Sequence, residues 1–478
     1  MIGVVGGGIA GLATAHRLQQ HGHDVQVFEA SDQIGGLAAV YDTAGDPVEK
    51  FYHHLSASEE TIIDLIEELG LGDDLVWPIG KNAYYMEGTV HPMDKPWEIL
   101  AFPYMSAYDK FRLTMLTQEI DVRGGVPKFD TYETLEDFED VPIEEFLLEH
   151  TSRGVYEGFF EPLLDAKFGS RKGDVSAAWL LGRIKFRGER DLLRGEPLGY
   201  LKGGFGQLLD ALVESVGREN ITTNARVEEV GIENGAVENL TVAVSSSATA
   251  DDETERTAAE AEADGGREAS GSGAEQSDGG VTTETHDTDG VVVAAMPNVL
   301  EALTGYECDI DFQGAVCALV TMEESLTDTY WLNIGHDAPF GALIEHTNYV
   351  PPENYGGDHL LYVASYIQDY EEDLWQMDDD EVEDRWLGHI EEMFPDWDRS
   401  QVKQFRLAKN PRAAPIYERG YLDMVVPYDL ADEVAEGVYY AGMASRAQYP
   451  ERSLNGGIVA GYECADRIAG RKEVIRPE

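Results

Sequence analysis

The chain has 478 residues, 43% hydrophobic and 10% aromatic, which is material for two or three domains and excludes a chain disordered throughout. Asp and Glu number 91 against 35 Lys and Arg, a formal net charge of −56, so phosphate backbones and anionic lipid surfaces are repelled and nucleic acid is excluded as a general partner. The three cysteines, Cys308, Cys317 and Cys464, form no CxxC pair, which argues against a zinc ribbon, a disulfide scaffold and a dithiol redox centre.

Ile2-Gly3-Val4-Val5 reads as a short buried strand. It starts so early that no secretory leader fits ahead of it, and no apolar run reaches the ~18 residues of a membrane span. The expectation is a cytoplasmic protein with no transmembrane segment. Gly6-Gly7-Gly8-Ile9-Ala10-Gly11 follows, and Leu12 to Gln20 has helical spacing through Leu12, Ala15 and Leu18. Gly22 ends that helix, and Val25-Gln26-Val27-Phe28 is a second strand closing on Glu29. This is a βαβ unit with GxGxxG at the strand-to-helix turn and an acid 18 residues after its last glycine. Gly6 allows the tight turn, Gly8 lets a pyrophosphate approach the backbone, and Gly11 lets helix pack on strand. Ile9 and Ala10 lie in the first helical turn, whose free N–H groups and partial positive charge suit a phosphate. Glu29 is placed to accept hydrogen bonds from ribose hydroxyls. The unit is predicted to bind a dinucleotide.

Farther along, Ser58 to Leu69 is predicted as a helix, with Ser56 and Glu59 at capping-box spacing and Gly70 as its stop. Residues 96–160 read as mostly helical and rich in aromatics. Gln207 to Val216 is a further helix after Gly203-Gly204-Phe205-Gly206, and Arg226–Val230 with Ala236–Val244 alternates as a hairpin. Ser245 to Asp289 has 13 acids, 2 arginines and no aromatic residue, and is expected to be a disordered insertion. Strands are expected at Val291–Ala295, Val316–Met322, His359–Tyr366 and 437–443. A last helix is expected from Ile458 to Ile468, preceded by Asn455-Gly456-Gly457.

These motifs, taken in order, resemble the FAD-dependent amine oxidase, protoporphyrinogen oxidase and phytoene desaturase superfamily over nearly the whole chain. They are Gly6–Leu12, Glu29, Ile34–Leu37, Gly203–Phe205, Ala225–Val230, Val291–Pro297 and Val438–Met443. The resemblance implies that Gly35 and Gly36 approach the pyrophosphate and the flavin side, and that Val227 offers its backbone to adenine. It further implies that Gly442, Met443 and the Leu454-Asn455-Gly456 segment contact the far phosphates and the isoalloxazine. Leu37 stands where many relatives have Arg, and Met443 where many have an acid. Both departures resemble a protoporphyrinogen-oxidase-like subgroup. The acid excess with only 12 lysines resembles proteins of salt-loving archaea, whose carboxylate surfaces tolerate concentrated salt. Independently of the family, the sequence holds no second GxGxxG, so one dinucleotide is expected. A C-terminal glycine segment returning to the N-terminal unit points to FAD rather than NAD.

On the substrate side, His53 and His54 are candidate catalytic groups, since an imidazole titrates near neutrality and can take a proton; two packed structural histidines are the alternative. Lys50 is either a pocket base or a surface partner for Glu49. Arg183, Lys185, Arg187, Arg190 and Arg194 concentrate charge within one segment, with Arg183 and Arg187 four apart on one helix face. They are expected either to clamp an anionic substrate or to form surface ion pairs. Trp97, Phe102, Tyr104, Met105, Tyr108, Phe111 and Met115 read as core, an apolar tunnel or a patch for peripheral membrane contact. No HExxH or other metal motif occurs.

The expected architecture is α/β: a Rossmann-type FAD-binding domain with a discontinuous α+β substrate domain. The FAD domain is assigned to 1–75, 195–305 and 410–478, and the substrate domain to 76–194 and 306–409. The expected activity is oxidation or desaturation of a small-molecule substrate, anionic or apolar, with hydride passing from a C–H to flavin. The alternative is a non-redox flavin isomerase of the UDP-galactopyranose mutase type.

Overall fold

The computed structural model describes residues 1–117, 135–186, 195–245, 280–335 and 338–470. The N-terminal unit forms as the sequence dictates: β1 (Ile2–Val5), α1 (Ile9–Gln20) and β2 (Val25–Phe28). β1 and β2 are inner strands of a five-stranded parallel sheet ordered Ile221–Thr222, β2, β1, Gly290–Val293, Val438–Tyr440. Every residue of β1 and of Gly290–Val293 is buried. An unbroken apolar run of this kind is what a parallel strand covered on both faces needs. The register pairs Ile2 with both Val25 and Gly290.

The C-terminal helix lies on α1. It runs from Leu454 to Ile468, so it begins four residues earlier than the glycines suggested. Gly456 and Gly457 are inside it because tertiary packing outweighs their low helix propensity. A Cβ on Gly457 would lie 3.0 Å from Ile9 Cγ2, and one on Gly461 only 2.6 Å from the Ala10 carbonyl oxygen. Ser453 caps the helix by accepting from Gly456 N–H. The helix Glu60–Glu68 begins two residues later than expected. Half of the capping box forms, with Ser56 N–H donating to the Glu59 carboxylate at 2.7 Å. The cap itself comes from elsewhere: Asn455 Oδ1 accepts from Ile62 N–H at 2.9 Å.

Beside the parallel sheet stands a three-stranded antiparallel sheet of Ala225–Glu233, Ala236–Ser245 and Val281–Asp287. The last of these corrects the expected insertion. Its final residues form an ordered strand pairing from Ser245↔Val281 to Asn239↔Asp287. The Val281 and three threonines of Val281-Thr282-Thr283-Glu284-Thr285 are good strand formers, a signal lost when composition is averaged over the whole acidic stretch. Residues 246–279 lie outside the described residues.

The second large sheet has seven strands in the order Val402–Pro415, Phe312–Met322, His359–Ile367, Ala342–Glu345, Trp331–Ile334, Asn82–Met86, Thr89–Pro92. Along Phe312–Met322 the side chains alternate. Val316, Ala318 and Val320 pack with Trp386 and Ile390 of the helix Asp379–Met393. Cys317 and Leu319 belong to the other face, with Tyr330, Tyr355 and Tyr362. The strand Val402–Pro415 crosses the domain boundary expected at 410. Helices Ala107–Thr117, Ile143–His150, Glu161–Phe168 and Ala177–Phe186 close one side of this sheet. Of the aromatic stretch before them, Phe102 and Met105 are core, whereas Trp97, Tyr108 and Phe111 are about half exposed. No helix among the described residues is long and apolar enough to cross a membrane.

Candidate active site

A continuous cavity of about 4940 Å³ runs between the two large sheets. A drug-sized ligand needs only ~300–1,000 Å³, so there is room for a dinucleotide and a second molecule. One end is lined by Gly6, Gly8, Ile9, Ala10, Glu29, Gly35, Gly36, Leu37 and Val227. Gly442, Met443, Leu454 and Asn455 line it farther along, so the sequence-predicted cofactor residues converge on one wall. Gly11 is buried behind that wall. A Cβ there would come within 2.0 Å of the Gly6 carbonyl oxygen, which is why helix and turn need glycine at this point. Gly8 differs. It has ordinary backbone angles (φ −75°, ψ 179°), and a Cβ on it would meet nothing closer than Gly35 O at 3.9 Å. Its glycine character serves no packing need of the protein. It leaves open a cradle at the N-terminus of α1, where unpaired N–H groups suit a phosphate.

Glu29 is fixed by the turn it serves. Its Oε2 accepts from Gly7 N–H at 2.7 Å, and its Oε1 from Ser31 N–H and Oγ at 2.8 and 2.7 Å. The carboxylate still borders the cavity, with acceptor capacity for a diol. At Val227 the pairing register slips before Glu229, the kind of irregularity that re-aims a strand beside a ligand. Asn455 spends its side-chain oxygen on capping the helix Glu60–Glu68, so any contact it makes with a cofactor comes from its remaining atoms. These residues fit FAD: a cradle at a helix N-terminus, an acid at the end of β2, and a wall continuing past the dinucleotide length toward an aromatic pocket.

That pocket holds Tyr52, His53, His54, Lys167, Trp179, Arg183, Trp331, Tyr366, Glu451 and Arg452. His53 Nδ1 lies 2.6 Å from the Phe51 carbonyl oxygen. A carbonyl only accepts, so Nδ1 carries the proton and Nε2 of the neutral ring is the acceptor. Burial and the nearby Arg452 guanidinium push His53 down to about 4, so it is neutral at pH ~7. His54 Nδ1 bonds the Tyr330 hydroxyl at 3.0 Å and packs edge-on against Trp331. Lys50 borders the cavity with its ammonium 5.2 Å from the Tyr41 ring. Glu49 is not its surface partner. It is fully buried and accepts from Tyr200 OH and Phe205 N–H, tying the Gly203-Gly204-Phe205 turn to the histidine segment.

Arg183 and Trp179 sit four apart on one face of the helix Ala177–Phe186. Both reach Glu451: Arg183 Nη1 at 2.7 Å and Trp179 Nε1 at 3.0 Å, on the same carboxylate oxygen. Lys167 takes the other oxygen at 2.7 Å. The Arg183 guanidinium thus lies in the cavity wall, where it pairs with a cavity carboxylate and not with the surface. Burial alone would raise the Glu451 pKa, but Arg183 and Lys167 outweigh it and hold the carboxyl well below the usual range. Arg187, Arg190 and Arg194 lie outside the described residues. Tyr366 is half-buried in the cavity wall, where Lys167 and Arg452 draw its phenol below the ordinary value against the opposing effect of desolvation. Sequence reasoning missed Lys167, Tyr366, Glu451 and Arg452. The one local signal was position: Glu451 and Arg452 immediately precede the capping Ser453 of the C-terminal helix.

The chain is 25% identical over 287 residues to the coproporphyrinogen III oxidase of Propionibacterium freudenreichii subsp. freudenreichii, covering 48% of this chain and 52% of that one. The chain spans about half the length of the curated relatives it matches. A solved structure from Exiguobacterium sp. 255-15, proposed to be a protoporphyrinogen oxidase, superposes with a TM-score of 0.72 at 17% identity, covering 98% of this chain and 99% of that one. Reduced UDP-galactopyranose mutase superposes with a TM-score of 0.68 at 15% identity, covering 100% and 97%. Those likenesses are of fold, and the fold is α/β. The family model described as flavin containing amine oxidoreductase matches residues 9–258 and 266–469. With one glycine cradle, one βαβ acid and this match, the cofactor is FAD, and the chain belongs to the flavin-containing amine oxidoreductase family.

Proposed function

We propose that the protein is a flavin-dependent oxidoreductase that removes hydride from a C–H of a small molecule held in the aromatic end of the cavity. The observation that carries this reading is the continuity of the cavity from the Gly8–Glu29 cradle to the Tyr52, His53, Trp331 and Tyr366 pocket. FAD, when bound, supplies the hydride acceptor. The N-terminus of α1 and Gly8 hold the pyrophosphate, Glu29 the ribose, and the Val227 backbone the adenine. Gly35, Gly36, Leu37, Gly442, Met443, Leu454 and Asn455 lie along the rest of the cofactor. The parallel sheet with its antiparallel companion is the cofactor half. The seven-stranded sheet and the helices over it are the substrate half.

The side chains have distinct tasks. His53 presents an unprotonated Nε2 that accepts a hydrogen bond or a proton from the substrate. His54, held by Tyr330, orients the segment. Glu451 fixes Lys167 and Arg183 in the wall, and the aromatic rings exclude water from the reacting centre. The dense acidity of the chain supports a surface adapted to concentrated salt. The test is anaerobic mixing of the holoprotein with porphyrinogens, polyprenyl compounds, carotenoid precursors and amines in turn. Bleaching of the flavin with stoichiometric oxidised product is the expected result for one of these classes. Turnover only with pre-reduced flavin and no net oxidation would replace this reading with the mutase type.

A further inference from the structure

We propose that the cavity selects an organic carboxylate over an amine, and that Arg452 is the residue that binds it. The inference rests on the oxidoreductase reading above and names the substrate class of the same site.

The charges of the pocket do not balance. Lys167 and Arg183 share one carboxylate, Glu451, with each oxygen taken at 2.7 Å. Glu196 acts on Arg183 from farther away. Arg452 forms no ion pair with any carboxylate among the described residues. The groups that act on it are the phenols of Tyr366, Tyr52 and Tyr417, with Tyr366 as its hydrogen-bond partner. Its side chain is half-buried and lines the cavity. A guanidinium taken out of water without a counter-ion is costly, and proteins with such groups pair them or reserve them for a ligand.

The surroundings define the ligand. Arg452 acts on both His53 and Tyr366, and its chain neighbour Glu451 holds Lys167, whose ammonium lies 5.9 Å from the Tyr366 ring of the substrate sheet. One uncompensated fork in a wall of Tyr52, Trp331 and Tyr366 fits a monoanion on an apolar or aromatic body. The planar guanidinium takes a carboxylate through two parallel hydrogen bonds. An ammonium in the same place meets Arg452 and Lys167 with like charge, and Glu451 beside it is already taken by Lys167 and Arg183, which works against binding. The overall charge of −56 sharpens the case, since an anion enters such a protein only where local positive charge draws it in.

The experiment compares benzoate with benzylamine, which share a ring and carry opposite charges at pH ~7. Each is titrated into FAD-loaded wild type while the flavin absorbance is followed. Benzoate is expected to perturb the spectrum saturably, and benzylamine to leave it unchanged at equal concentration. Arg452→Gln should weaken benzoate by about 10- to 150-fold, the worth of one charge-assisted contact, and Arg452→Lys should recover part of it. FAD content should match wild type in both variants. Saturation by benzylamine with no response to benzoate overturns the proposal, as does wild-type benzoate affinity in Arg452→Gln. Loss of FAD from Arg452→Gln also overturns it, because the guanidinium then serves the cofactor. The wild-type comparison stands even if a variant fails to fold. Holoprotein that ignores benzoate sinks this inference alone, whereas protein that never carries FAD sinks the oxidoreductase reading.

Discussion

Replacing Glu451 with glutamine removes the one carboxylate that Lys167 and Arg183 share and leaves two cations facing each other in the cavity wall. Breaking a buried ion pair from one side costs about 3–5 kcal/mol. The side chains of Lys167, Glu451 and Arg183 are 14%, 21% and 28% exposed, so the lower end of that range applies. Arg183→Gln is milder, because Glu451 keeps Lys167 at 2.7 Å; a lost charged hydrogen bond costs about 1.5–3 kcal/mol. Urea unfolding of both variants at fixed salt should therefore give Glu451→Gln the larger drop in midpoint with an unchanged slope. The pH dependence adds a sign. The folded pKa of Glu451 lies below the unfolded value of ~4.3, so its contribution is complete above pH ~4.3 and is lost as the pH falls below it. The gap between wild type and Glu451→Gln should be constant from pH ~7 to ~5 and narrow on further acidification. A Glu451→Gln variant as stable as wild type at pH ~7, or a larger loss in Arg183→Gln, would refute the shared-carboxylate argument.

Three other outcomes follow from the structure. Deleting residues 246–279 and joining Ser245 to Gly280 through a short turn should preserve the melting temperature and FAD content, since Ser245 and Val281 already pair across the gap and loop length costs only ~0.6 kcal/mol per doubling. Extending the deletion to Asp289 should destabilise the protein, because that removes the strand Val281–Asp287 and the bond from the chain's N-terminal amine to Asp289. Dialysis from ~1 M salt, where the screening length is ~3 Å, to ~0.1 M, where it is ~10 Å, should lower the melting temperature; an unchanged value would remove the case for a salt-adapted surface.

The βαβ unit was legible because it is written in local spacing. Gly6, Gly8, Gly11 and Glu29 fall within one βαβ unit, and the structure puts Gly6, Gly8 and Glu29 on the cavity wall with Gly11 packed against Gly6. The substrate half was not legible, because Lys167, Tyr366, Glu451 and Arg452 come from a helix, a strand and the loop before the C-terminal helix, far apart in the chain. None has a motif, and only the fold brings them together. Two local misreadings have the same physical origin. The last helix was expected to start after Gly456 and Gly457, but close packing holds both inside it, Gly457 against α1 and Gly456 against Ala447 and Gln448. The strand Val281–Asp287 vanished into the composition of the acidic stretch, although pairing with Ala236–Ser245 orders it.

The measurement closest to the central claim is the FAD content of Gly8→Val beside that of Gly11→Val. A side chain at Gly8 points into the cradle, meets no protein atom closer than 3.9 Å, and has backbone angles that valine adopts. A side chain at Gly11 runs into Gly6 O at 2.0 Å. The wild type should carry one FAD per chain. Gly8→Val should be folded by circular dichroism yet empty of FAD, and Gly11→Val should fail to fold. A folded Gly8→Val that retains stoichiometric FAD would contradict the account, because the dinucleotide would then lie somewhere other than this cradle.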